Sequence, residues 1–342
     1  MKFVSEYRDQ KTATALAQRI AKIAGNHRMT FMEVCGTHTM ALARFGLRRM
    51  LPSTIRLVSG PGCPVCVTSN GYIDQAMALA RSDGITVLTF GDMIRVPGSG
   101  SSLERERASG CDIRVVYSTL DALDAARKNP DRQFVFLGVG FETTAPTIAA
   151  SIKTAAEEGI ENYSVLCAHK LVPPALEALL AGPVELNGFI LPGHVSTIIG
   201  AVAYRSILER SQVAGVIAGF EPVDMLEAIW ELAKQVASGR PTLHTSYSRA
   251  VNEEGNTKAL AMMDEVFEPC DTEWRGLGTI PASGLKIRQA FAAFDAGRRF
   301  EVCVEPAAEP AGCRCGEILT GRTLPAQCPL FGNKCTPEHP VG

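Results

Sequence analysis

The chain has 342 residues, 46% hydrophobic and 20% charged, enough for two or three domains that bury roughly 75% of the unfolded surface. With 34 basic and 36 acidic residues and a formal net charge of -2, it lacks the charge excess that draws a protein to nucleic acid or an anionic membrane. Eleven cysteines, an odd number, argue against a disulfide framework and for metal or thiol chemistry in a reducing compartment.

The opening Met1 to Gln10 is charged throughout and has no apolar core of the signal-peptide kind. No apolar run approaches the ~20 residues that span a bilayer. The expected location is therefore cytoplasmic. Residues 1–27 read as a helical segment expected to pack on the C-terminal domain. From there, short apolar, β-branched runs recur: Phe31 to Val34, Ile55 to Ser59, Ile85 to Phe90, Ile113 to Tyr117, Phe134 to Val139, Tyr163 to Ala168, Gly188 to Leu191 and Gly215 to Ala218. Each is followed by a Gly- or Pro-marked loop and a stretch rich in Ala and Leu, the pattern of βα units on a parallel sheet. The fold class is α/β, with two similar parallel-sheet domains over residues 28–130 and 131–238, divided at Pro130. After Gly239 the alternation fades, and residues 239–342 are expected to form a smaller, irregular domain organised partly by metal.

In open α/β sheets ligands bind outside the carboxyl ends of the strands, so the loops after the strands carry the candidates. They hold Cys35-Gly-Thr-His38, Gly60-Pro-Gly-Cys63-Pro-Val-Cys66, Gly91-Asp92, Gly140-Phe-Glu142-Thr143-Thr144, His169-Lys170 and Pro192-Gly-His194. Pro64 suits the first position of a helix. That would make Cys63 its N-cap, where the helix dipole lowers a thiol pKa, with Cys66 one turn further on. No second ligand pair of zinc-knuckle spacing follows nearby, so a dithiol/disulfide couple is the better reading of the two. Cys35 and His38 offer a soft and a borderline metal ligand beside a glycine that permits close backbone approach. Cys35 is the expected iron ligand. Glu142 is a candidate catalytic carboxylate, and Thr37, Asp92, Thr143, Thr144 and His194 are candidates for supporting roles.

Near the end, Cys313, Cys315, Cys328 and Cys335 form a four-thiolate set among glycines and prolines. Spacing alone leaves structural zinc and a four-iron four-sulfur cluster both open. Gly138-x-Gly140-x-x-Thr143 is a weak match to a dinucleotide-binding turn, with threonine in place of the last glycine. Cys111, Cys167 and Cys270 read as packed thiols, and Cys303 as an extra thiol beside the terminal set.

Taken jointly and in this order, Cys35-Gly-Thr-His38, Gly60-Pro-Gly-Cys-Pro-Val-Cys66, Phe90-Gly-Asp-Met-Ile-Arg-Val-Pro-Gly98, Gly140-Phe-Glu-Thr-Thr144, Pro192-Gly-His-Val-Ser196 and the terminal cysteines closely resemble the HypD family of nickel-iron hydrogenase maturation proteins. The resemblance covers nearly the whole chain. It implies assembly of an iron carrying two cyanides and one carbon monoxide, in complex with a HypC-type chaperone. Cyanide would arrive from a thiocyanate-modified cysteine of a HypE-type donor. It further implies that Cys35 binds the iron, with His38 and Thr37 around it, and that Cys63 and Cys66 are the redox dithiol. Cys313, Cys315, Cys328 and Cys335 would hold a 4Fe-4S cluster, giving a relay from cluster to dithiol to iron. The chain is expected to be monomeric on its own.

Family members continue past Thr336-Pro-Glu-His-Pro-Val-Gly342 with a cysteine-containing tail, so a truncated or short variant is expected. Two other classes remain open. A disulfide reductase resembling ferredoxin-thioredoxin reductase would use the cluster and dithiol but not Cys35. A scaffold with structural zinc would use neither redox pair.

Overall fold

All eight apolar runs form strands, within a residue or two of the expected ends. They are β1 (Met29–Glu33), β2 (Ile55–Ser59), β3 (Ile85–Thr89), β4 (Ile113–Val115), β5 (Gln133–Gly138), β6 (Tyr163–Cys167), β7 (Gly188–Pro192) and β8 (Ala214–Ala218). Three more follow that the apolar pattern does not mark: β9 (Leu243–Thr245), β10 (Phe267–Trp274) and β11 (Gly278–Ile287). The structure is a computed structural model that describes residues 5–182, 185–305 and 310–341.

Two sheets result, ordered β2-β1-β7-β8-β9 and β4-β3-β5-β6. Every pairing within them is parallel. β10 and β11 pair separately as an antiparallel hairpin, with a register shift between Cys270 and Thr272. Ranked along the chain, both sheets place their first strand between their second and third. Each therefore reverses direction of build-up at one point, between β1 and β7 in one sheet and between β3 and β5 in the other. Such reversal points leave a crevice at the carboxyl ends of the strands. Cys35-Gly-Thr-His38 and Pro192-Gly-His194 flank the first; Gly91-Asp92 and Gly140-Phe-Glu142 flank the second.

The sheets do not follow the chain in two consecutive halves. Pro130 falls between β4 and β5, inside the second sheet, and residues 28–130 supply strands to both. The chain divides instead into two interleaved units. One comprises Met1–Cys63, Ala175–Thr257 and Glu317–Leu324; the other comprises Pro64–Pro174, Lys258–Gly316 and Pro325–Gly342. The physical reason is that β1 pairs with β7, more than 150 residues later, at Phe31↔Gly188. The hairpin and most of the irregular C-terminal region belong to the second unit. Beyond Phe300 the described chain holds only the short helical turns Cys315–Leu319 and Pro325–Gln327.

In the first unit, the helix Gln10–Ala24 buries Ala13, Leu16, Ala17, Ile20 and Ala24 on one face, the i, i+3, i+4, i+7 spacing of an amphipathic helix. It packs against the helix Pro222–Ser238, which corrects its expected docking on the C-terminal domain. Asp9 caps it by accepting from the Thr12 amide at 2.7 Å. The second unit has its own core, built on Val87, Val135, Leu137 and the helix Asn70–Ala80. No helix among the described residues is long and apolar enough to cross a membrane.

Candidate thiol and metal sites

In the first unit, β1 ends in a buried glutamate. Glu33 Oε1 accepts from Arg48 Nη2 at 2.7 Å, Ser59 Oγ at 2.8 Å and Thr39 Oγ1 at 3.4 Å. Its Oε2 has no partner. Burial pushes this carboxyl above its ordinary range, against the pull of Arg48 and Ser59. Two residues on, Cys35 stands at the N-cap position of the helix Gly36–Arg44. Burial raises the Cys35 thiol and outweighs the amides of His38 and Thr37 and the Thr37 hydroxyl, which lower it; neighbouring Cys63 raises it further.

The Gly60–Cys63 loop docks directly on this turn. The Gly60 amide donates to Glu33 O at 2.8 Å, and the Gly36 amide donates to Gly62 O at 2.9 Å. A methyl on Gly62 would run into the Cys35 nitrogen and the Val34 carbonyl, so only glycine allows the two segments to lie this close. A methyl on Gly36 would lie 3.4 Å from the Cys63 Cβ. Cys35 and Cys63 are thereby neighbours.

His38 is fully buried. Its Nε2 faces the carbonyls of Gly219 at 3.0 Å and Ala218 at 3.3 Å, which makes that nitrogen the protonated one. Nδ1 has no partner and carries the free lone pair of a neutral ring. Burial holds the imidazole down to about 4. Its ring stacks on Phe220 at 4.8 Å, and His194 stacks on the same phenyl at 3.8 Å. The two histidines after β1 and β7 are thus joined through Phe220.

In the second unit, Pro64 begins no helix. Residues 64–67 form a turn, and the next helix, Asn70–Ala80, starts after Ser69. Cys63 is therefore not a helix N-cap, and the expected dipole effect on its thiol has no basis. The backbone is taken elsewhere: Thr68 Oγ1 donates to Pro64 O at 2.7 Å, while the Arg275 amide donates to Val67 O at 2.9 Å. Cys66 is exposed on this turn.

The same unit holds the second set of loop residues. Glu142 is buried; its Oε1 accepts from the Val172 amide at 2.9 Å, its Oε2 has no partner, and burial pushes it up to about 7. Lys170 donates to Glu273 O at 2.7 Å, lies 5.2 Å from the Trp274 ring, and is brought down to about 8 by burial. His169 is buried beside Cys167, with Nδ1 3.2 Å from its sulfur. Burial drives that histidine down to about 3 and the Cys167 thiol up to about 12, so this pair carries no thiolate chemistry near neutral pH. Thr143 and Asp92 are exposed. Thr144 stands before the helix Ala145–Glu158.

Among the terminal cysteines, burial pushes Cys315 up to about 11; Cys313 and Cys335 add to this and Arg275 opposes it. The Leu330 amide, with those of Arg314 and Phe331, lowers the Cys328 thiol. The Val341 amide donates to Cys335 Sγ at 3.3 Å. The Cys328–Cys335 loop is closed by Cys335 N–H to Leu330 O at 2.8 Å and Gly332 N–H to Cys335 O at 3.0 Å. Amides aimed at sulfur, as at Cys328 and Cys335, are a feature of thiolate-ligated centres, and four thiols are the donor set such a group takes. Among the described residues, no three His, Cys, Asp or Glu side chains gather as a ready single-ion site.

Residues 11–342 match the family model described as "HypD: Hydrogenase formation hypA family". The chain belongs to the HypD family. It is 46% identical over 352 residues to hydrogenase maturation factor HypD of Rhizobium leguminosarum bv. viciae, covering 100% of this chain and 91% of that protein. To HypD of Azotobacter vinelandii it is 47% identical over 351 residues, covering 100% and 93%. A putative hydrogenase expression/formation protein of Methanocaldococcus jannaschii is 43% identical over 327 residues, covering 96% and 89%. The chain is accordingly a hydrogenase maturation factor.

Glu33, Phe220 and Arg275 are absent from the motifs read in the sequence. Glu33 had a usable signal, an acid within an otherwise apolar strand; Phe220 and Arg275 had none, since their places depend on long-range packing.

Proposed function

We propose that this HypD chain is the scaffold and thiol-redox centre on which an iron carrying cyanide and carbon monoxide is assembled, held at Cys35 together with a HypC-type chaperone. The observation that supports this most is the docking of Gly60–Cys63 on Cys35–Gly36, which sets a dithiol cysteine beside the proposed iron ligand. The iron is the cargo. Cys35 supplies a soft sulfur, and the His38 amide acts on that sulfur while its buried, neutral ring keeps an unpartnered Nδ1.

Cyanide held as a thiocyanate on a HypE-type donor is released when its S–C bond takes two electrons and a proton, leaving a donor thiol and cyanide. Cys63 and Cys66 supply those two electrons as their S–S bond forms. Of the two protons they give up, one goes to the donor sulfur and one leaves with cyanide as hydrogen cyanide or passes to a base. Bound by Cys313, Cys315, Cys328 and Cys335, a 4Fe-4S cluster would supply single electrons. A reductase acting without Cys35 would leave the paired Cys35 and Cys63 unexplained.

The test is the infrared spectrum of the protein purified with its HypC-type partner. Cyanide and carbon monoxide bands that vanish in Cys35→Ala support the scaffold; their absence from the parent complex, with iron present, overturns it.

A further inference from the structure

Among the described residues Arg275 is the one buried arginine, 7% exposed. It sits at the tip of the β10–β11 hairpin, between Trp274 and Gly276. Three backbone carbonyls hold it: its amide donates to Val67 O at 2.9 Å, Nε to Thr68 O at 2.8 Å and Nη2 to Pro97 O at 2.7 Å. Behind it, the hairpin tip rests on the segment after Cys315, where a methyl on Gly316 would run into the Gly276 carbonyl oxygen. The tip is thus fixed between the Cys66 turn and the Cys313–Cys315 segment.

A buried arginine ordinarily sits against a carboxylate. The ionisable groups that act on Arg275 are Cys315, Cys66, Asp74 and Cys313, in that order. Asp74, the one carboxylate among them, is itself engaged by the Ser99 amide at 2.8 Å and the Ser99 hydroxyl at 2.6 Å. Three of the four groups are sulfurs from the two places where redox chemistry is proposed, and neutral carbonyls leave the guanidinium's charge uncancelled. In a low-dielectric setting that charge favours whichever state of its neighbours is more negative.

We propose that Arg275 is a positioning residue whose buried charge raises the reduction potential of the sulfur centres on either side of it, Cys66 and the Cys313–Cys315 pair. It rests on the reading of those cysteines as redox groups. Arginine suits the role because it cannot lose its proton when buried and its planar fork fixes the charge in place.

The experiment uses the anaerobically purified full chain and its Arg275→Gln and Arg275→Lys variants. Three quantities are read: the midpoint potential of the iron centre by paramagnetic resonance titration, the rate of iodoacetamide alkylation at Cys66 at pH 7 by peptide mass, and the thermal midpoint. Gln, which retains a donor but no charge, is expected to lower the potential and to slow Cys66 by on the order of threefold to tenfold. Lys is expected to keep both near the parent. Unchanged potential and rate in a folded Gln variant overturn the proposal, as does a Lys variant as impaired as Gln, which marks a purely structural clamp. If the parent holds no iron, the cluster reading falls and the Cys66 rate alone decides the role of Arg275. If Arg275→Gln does not fold, the parent decides: Cys66 must alkylate faster in the native protein than in the urea-unfolded chain, and a slower native rate overturns the proposal.

Discussion

The Gly36 amide donates to the carbonyl of Gly62 across 2.9 Å, and this bond ties the turn that presents Cys35 to the loop that presents Cys63. The close approach is possible because Gly62 carries no side chain where the two backbones meet.

Adding a methyl at Gly62 forces the loops apart, since it lands on Cys35 N and the Val34 carbonyl. Gly62→Ala is expected to cost about 2–4 kcal/mol in chemical denaturation. Gly36→Ala meets the Cys63 Cβ at 3.4 Å and the Gly62 carbonyl oxygen at 3.9 Å, both ordinary contacts, and is expected to cost less than about 1 kcal/mol. Equal stability of the two variants would contradict this account of the docking.

Glu142 titrates in the folded protein at about 7, above its unfolded value of about 4.5. The native state therefore keeps a proton that the unfolded chain gives up, and stability from this group is present below pH 4.5 and lost as pH rises to about 7. The full effect is about 3 kcal/mol. His38 and His169, held down to about 4 and about 3, act in the opposite sense, their contribution being lost as pH falls below about 6.5. The difference in stability between Glu142→Gln and the parent, followed from pH 4 to 8, isolates the carboxyl; a flat difference would remove it.

Phe220→Ala opens the stack that covers His38 and His194. Desolvation is the main force holding the His38 imidazole near 4, so admitting water is expected to raise it by at least about one unit toward 6.5. Ring-carbon NMR titration reads the shift directly.

Much of this arrangement was readable in advance, and for identifiable reasons. Eight of the nine strands of the two parallel sheets are apolar enough to be read without partners. β10 is not: Phe267-Glu-Pro-Cys-Asp-Thr-Glu-Trp alternates exposed and half-buried positions between its two buried ends and contains a proline, so it looks like a loop until β11 pairs with it. The turn at Pro64 reads as a helix start because a proline after a possible cap locally favours a helix, whereas the carbonyls there are taken by Arg275 and Thr68. The Cys35 and Cys63 motifs stand out as residues, but their contact does not, because it depends on Gly62 fitting against the backbone of Val34 and Cys35.

Under the proposed function, Cys63→Ser removes one of the two sulfurs that would supply electrons for cyanide release. The variant, purified with its partner, is expected to lose the cyanide infrared bands while keeping whatever iron content the parent's terminal cysteines hold. Hydrogenase maturation at the parental level in that variant would overturn the dithiol role.

The terminal four cysteines are expected to hold about four irons with matching acid-labile sulfide. Alanine at any of Cys313, Cys315, Cys328 or Cys335 should lower that content sharply and make the region beyond Phe300 more sensitive to protease. About one zinc per chain with no sulfide would instead assign a structural site.

The pairing of β1 with β7 gives the protein a timetable. A ribosome completes β1, β2 and the whole second sheet before it reaches Gly188, so one edge of β1 waits unpaired while more than a hundred residues are added. Cys35 and His38 are made early, yet Phe220, which stacks on His38, and His194 on the other side of that ring are among the later arrivals. The newborn chain thus carries the Cys35-Gly-Thr-His38 turn for a long interval before the ring that stacks on His38 exists.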